Sequence, residues 1–115
     1  MSTLLANQQC EACANSAKPM NPADIDKLIP QLPDWQCITV DGVLQLERVY
    51  HFDNYRTALA FTNAVAALAE SHNHHPVIEL QWDKVTVNWW THTVNGLHRN
   101  DFILAAKCDQ LYESE

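Results

Sequence analysis

With 115 residues, 47% of them apolar and 18% charged, the chain has the size and composition of one globular domain, too short for two cores and too apolar for disorder. Its formal charge of -7 sets up a field that repels phosphate backbones, which argues against direct nucleic-acid binding. The most apolar stretch, residues 58–69, is interrupted by Thr62 and Asn63 and falls short of the roughly 20 residues that span a bilayer. No basic region precedes an apolar run at the N-terminus, so a soluble cytoplasmic protein is expected.

Residues 1–20 lack sustained periodicity and are rich in Ala, Asn, Gln and Ser, which predicts a flexible N-terminal arm before a single domain over 21–115. Cys10 and Cys13 form a Cys-x-x-Cys, half of a structural zinc site or a redox pair. The other half is missing, since Cys37 and Cys108 fall in strand-like and helix-like patterns, and two thiols in an arm is the simpler reading. Asn21-Pro22 then supplies an N-cap with proline at the first helical position, and Pro30 and Pro33 end a first helix over 22–29.

Two β-rich runs, 35–40 and 43–51, flank Asp41-Gly42, a strong signal for a two-residue hairpin. Asp53 can cap a second helix whose Ala58, Phe61, Val65, Leu68 and Ala69 recur at helical spacing. Pro76 ends it. Residues 77–81 and 84–90 read as a second hairpin turning at Trp82-Asp83, a register that places Pro76, Ile78 and Leu80 on one apolar face with Val85, Val87 and Trp89. Glu79, Gln81, Lys84, Thr86 and Asn88 take the other face. Asn100-Asp101 opens a third helix carrying Phe102, Ile103, Ala106 and Leu111. The order α-β-β-α-β-β-α predicts an α+β domain, a four-stranded antiparallel sheet with helices packed on one face.

Four of the six histidines lie in Glu70-Ser-His-Asn-His-His-Pro76 and at His92. Extending the hairpin register past Trp89 sets Trp90 opposite His75, Thr91 opposite His74 and His92 opposite Asn73, and residues opposite or diagonal across strands lie roughly 5 to 8 Å apart. His74, His75 and His92 therefore meet at one corner, with Glu70 ending the helix that feeds it and Asp101 opening the helix that leaves it. Imidazoles gathered this way suit proton transfer near neutral pH. Metal binding is the alternative, through His72-x-His74 and His92, although no familiar ligand spacing is present. Adjacent histidines on an extended strand can also serve only solvation or capping. His51 and His98 read as surface or loop residues, and of the four tryptophans Trp90, then Trp89, stands near enough to the cluster to stack on a planar ligand.

Glu70-x-x-x-His74-His75-Pro76, then Trp82, His92 and Asp101, with a hairpin between, resembles the pterin-4a-carbinolamine dehydratases in the spacing of every one of these positions, over residues 21–112. The segments Thr91-His92-Thr93 and Gly96–Asp101 and the Cys10-x-x-Cys13 arm are most similar to bacterial members. The resemblance implies the same α-β-β-α-β-β-α fold and dehydration of 4a-hydroxytetrahydropterin to quinonoid dihydropterin without metal or bound cofactor. It implies catalysis by His74, His75 and His92, with Glu70 to orient an imidazole or bind the pterin ring and Asp101 to hold the loop or favour a helix N-terminus; Trp90, by its place near the histidines, joins Glu70 and Asp101 as an expected substrate-binding residue. Val94 stands where some animal members have a cysteine, so no role of that thiol carries over. A homodimer or homotetramer is implied as well, with a functional link to an aromatic amino acid hydroxylase. A second class of function, a non-enzymatic dimerisation or regulatory partner, is also known among relatives.

Overall fold

The structure is a computed structural model that describes residues 4–10 and 19–114. Helix α1 (Pro22–Leu28) is followed by strands β1 (Gln36–Val40) and β2 (Val43–His51), helix α2 (Tyr55–Ser71), strands β3 (Val77–Leu80) and β4 (Lys84–Trp89), and helix α3 (Arg99–Glu113). The α+β order expected from the sequence is the observed one. The four strands form one antiparallel sheet in the order β1-β2-β4-β3, so β1 and β3 are its edges.

Local chemistry accounts for most boundaries. The Asn21 side chain accepts the Asp24 amide at 2.9 Å and Pro22 takes the first helical position, where its missing N–H costs nothing. In the first hairpin Asp41 and Gly42 both have positive φ, 50° and 81°, as a type I′ turn demands. In the second, Val77 pairs with Asn88 and Leu80 with Val85, the register read from the Trp82-Asp83 turn. Two caps differ from expectation. Asn54, one residue past Asp53, caps α2 by accepting the Thr57 amide at 2.9 Å. His98, ahead of Asn100, caps α3, an imidazole doing work usually given to Ser, Thr, Asp or Asn.

The helices cover one face of the sheet. Leu46 and Tyr50 of β2 and Val85, Val87 and Trp89 of β4 are buried against Ala58, Phe61 and Val65 of α2 and Phe102, Leu104 and Ala105 of α3. Residues 4–10, within the segment expected as an arm, pack on α3. Leu5 is in the core, Lys107 Nζ donates to the Ala6 carbonyl at 3.0 Å, and Arg99 Nε and Nη2 donate to Gln8 Oε1 at 3.0 and 2.7 Å. Cys13 lies outside the described residues.

At the far end of the core from the histidines, Asp109 of α3 accepts from Arg48 Nη1 at 2.7 Å, Tyr50 Oη at 2.6 Å and Trp35 Nε1 at 3.0 Å. Arg48 in turn lies over the Tyr50 and Tyr112 rings at 4.3 and 5.2 Å. A carboxylate so enclosed leaves three donors unmatched when it is removed. Asp109→Ala is therefore expected to cost about 3 kcal/mol in urea unfolding. Burial pushes the Tyr50 hydroxyl and the Cys108 thiol well above their ordinary values of about 10 and 9. The folded chain keeps protons that the unfolded chain releases, so the contribution of these two groups to stability is fully present below about pH 9 and is lost as pH rises beyond it. Tyr50→Phe should lower stability at neutral pH and flatten this alkaline decline, both readable by denaturant titration from pH 7 to pH 11.

Candidate active site

The corner at the C-terminal end of α2 is shaped by a backbone device. Asn73 adopts φ 51°, its amide bonds to the Glu70 carbonyl at 3.2 Å, and the His74 amide bonds to the Ala69 carbonyl at 3.1 Å. This paired closure is a Schellman motif, with Asn73 at the left-handed position that asparagine tolerates. It reverses the chain so that His74 leaves the helix toward β4 instead of continuing its axis.

The His74 ring is stacked on Trp89 at 5.8 Å between centroids and 23° between planes. Its Nε2 lies 2.7 Å from Asp101 Oδ1. Asp101 is fully buried, and its Oδ2 accepts from Thr91 Oγ1 at 2.8 Å and from the His98 backbone N–H at 2.9 Å. Two donors already meet Oδ2, and an acceptor at Oδ1 pairs with a proton on His74 Nε2, the assignment that leaves Nδ1 as the other ring nitrogen. Thr91 is itself held by a two-way backbone bridge to Gly96, where a Cβ would stand 3.0 Å from the Pro19 side chain and press Pro19 to shift.

The other histidines are less constrained. His75 Nε2 meets Glu70 Oε1 at 2.8 Å, with both side chains largely exposed. His92 opens a turn of 3-10 helix after β4 and packs against the Trp90 ring at 4.8 Å. His74, His75, His92 and Trp90 line one cavity of about 680 Å3. Of the remaining residues expected at the site, exposed Glu70 stands beside His75, and Asp101 lies beneath the wall, touching two residues of the lining, His74 and Thr91.

Two further residues border this cavity. His72, which matches no position of the family pattern, is in its lining, its Nδ1 3.0 Å from the Leu68 carbonyl. Cys10 is in the lining too, delivered by the packing of residues 4–10 on α3. Leu5 is the one cue to that packing in a polar stretch. Among the described residues no three His, Cys, Asp or Glu side chains group as metal ligands, and no helix is long and apolar enough to cross a membrane.

This chain belongs to the pterin 4 alpha carbinolamine dehydratase family, whose model matches residues 18–111. It is similar to a transcriptional coactivator/pterin dehydratase from Brucella melitensis at 28% identity and a TM-score of 0.74, covering 82% of this chain and 98% of that one. It is also similar to a pterin dehydratase-like protein described as a RuBisCO assembly factor in the alpha-carboxysome, at 25% identity and a TM-score of 0.60, covering 71% and 93%.

Replacing Asp101 by Asn puts an amide N–H where His74 Nε2–H now donates, so the ring must move its proton to Nδ1 to accept it. Nitrogen NMR of His74 in Asp101→Asn is expected to report that exchange of tautomer, while Asp101→Glu, which keeps an acceptor, retains the original one. An unchanged tautomer in the amide variant would show that Asp101 does not set the ring.

Proposed function

We propose that the chain dehydrates 4a-hydroxytetrahydropterins to quinonoid dihydropterins, as the family resemblance implies. The observation that carries this reading is the grouping of three family-pattern histidines around one cavity, one of them oriented by a buried carboxylate. Loss of water breaks the C4a–O bond, removes the N5 proton and forms the C4a=N5 double bond, so the site must accept one proton and deliver another. General acid–base groups do this, typically at ~10²–10⁴-fold in rate.

His74 is the base. Asp101 holds its Nε2–H, so Nδ1 takes the N5 proton, and the carboxylate complements the positive charge that develops on the ring. His92 donates to the departing hydroxyl on one face of the pterin, and His75, held by Glu70, does so for the opposite stereoisomer. Trp90 stacks on the planar ring, and Asp101 is a positioning residue. The product is reduced back to tetrahydropterin by a separate reductase and serves an aromatic amino acid hydroxylase in the cytoplasm. No metal or cofactor enters the step. The exposed edges of the sheet favour self-association into a dimer or tetramer.

Structural relatives named as a transcriptional coactivator/pterin dehydratase and as a RuBisCO assembly factor favour a second reading, in which this fold acts as a non-enzymatic partner of another protein. Turnover of synthetic carbinolamine separates the two. His74→Ala and His92→Ala are each expected to lose at least tenfold in kcat while keeping the wild-type circular dichroism spectrum. Near-normal dehydration by both variants would refute the roles given to His74 and His92, whereas no turnover by the wild-type chain would refute the enzymatic assignment and leave the partner reading standing.

A further inference from the structure

The sheet face turned away from the helices carries a polar arrangement that dehydration of the ring does not use. Gln45 of β2 and Asn88 of β4 are each 7% exposed, and amides are seldom so enclosed on a solvent-facing sheet surface without a purpose. Asn88 Nδ2 donates to Gln45 Oε1 and to Glu47 Oε2, both at 3.1 Å. Glu47 can only accept, so it fixes the Asn88 amide with its nitrogen toward the pair, and that in turn fixes Gln45 with its oxygen inward. Gln45 Nε2 and Asn88 Oδ1 remain, a donor beside an acceptor, with no partner among the described residues.

Both side chains line a second cavity of about 510 Å3, and its wall shares Trp90 and His92 with the histidine cavity. The two cavities thus adjoin at Trp90 and His92, and a ligand stacked on Trp90 lies beside the sheet face. The second cavity is acidic, with Asp41, Glu47 and Glu79 in the lining, which disfavours a phosphorylated or carboxylated group and suits neutral hydroxyls that donate to carboxylates and exchange bonds with an amide pair.

Resting on the dehydratase reading, we propose that this face binds the hydroxylated C6 substituent of the pterin, with Gln45, Asn88 and Glu47 as its specificity-determining residues. A hydroxyl group placed between Gln45 Nε2 and Asn88 Oδ1 accepts from one and donates to the other, and a second hydroxyl reaches Glu47. A substrate with only a methyl group at C6 leaves these groups unmatched and binds the ring site alone.

The test compares the 6-(dihydroxypropyl) and 6-methyl carbinolamines in wild type, Gln45→Met and Asn88→Leu. Wild type should favour the hydroxylated substrate in KM, and each variant should narrow that preference about tenfold, with kcat ratios little moved. Quenching of tryptophan fluorescence by the corresponding 7,8-dihydropterins gives the same comparison without turnover, so an inactive wild type that still binds them with this preference would sink the dehydratase reading alone. A preference within twofold of wild type in both variants would overturn the inference. So would loss of self-association in the variants with an unchanged preference, which would assign the face to a second copy of the chain.

Discussion

The carboxylate of Asp101 is the constraint on which this corner of the molecule depends. It is fully buried, and an ionised group in that position is tolerated only when its lone pairs are met. Its partners come from three stretches, the first of them remote in sequence: the loop leaving α2 through His74, the residue after β4 through Thr91, and the entry to α3 through the His98 backbone. Closing the fold and orienting the imidazole are therefore one event. The carboxylate also completes the cap of α3, since it holds the His98 N–H while the His98 ring accepts the Asn100 amide at 3.0 Å, so helix stability and site geometry rise and fall together.

The histidines differ in how much freedom that constraint leaves them. His74 is held along its ring plane by Asp101 and across its face by Trp89. His75 has a single exposed carboxylate partner, and His92 has a tryptophan face. A base that must meet one fixed ring nitrogen benefits from rigidity, whereas a proton donor serving a hydroxyl on either ring face benefits from reach. Sharing a fold with proteins named for coactivation and for enzyme assembly carries no chemistry by itself. The distinction rests on these side chains.

Much of the fold was legible because strand alternation and turn chemistry act locally. Asp41-Gly42 demands its turn, and the Trp82-Asp83 turn sets Val77 against Asn88, from which the approach of His74 to Thr91 follows. The caps were harder to read. Asp53 and Asn54 are both good N-caps, and their residue types alone do not choose between them. His98 was read as a loop residue, because a histidine cap is recognisable only beside the Asp101 that reciprocates it. The left-handed Asn73 and the seating of Leu5 on α3 depend on what the neighbouring chain offers, and no periodicity announces either. The site residues came from the family pattern, and spacing alone left acid–base, metal and capping readings open.

The burial of Asp101 and the exposure of Glu70 assign different tasks to two carboxylates that the sequence presents alike, one at each end of the histidine corner. Asp101 is fully buried and bears on the cavity through the two lining residues it holds, His74 and Thr91. Glu70 is held to His75 by one solvent-accessible contact, which contributes little to stability because water competes for both groups, and it stays free to exchange His75 for a ligand donor. One carboxylate belongs to the buried architecture and the other to the solvent-exposed surface beside His75. The strained Asn73 turn lies between them in sequence, separating the rigid wall of the cavity from its yielding rim.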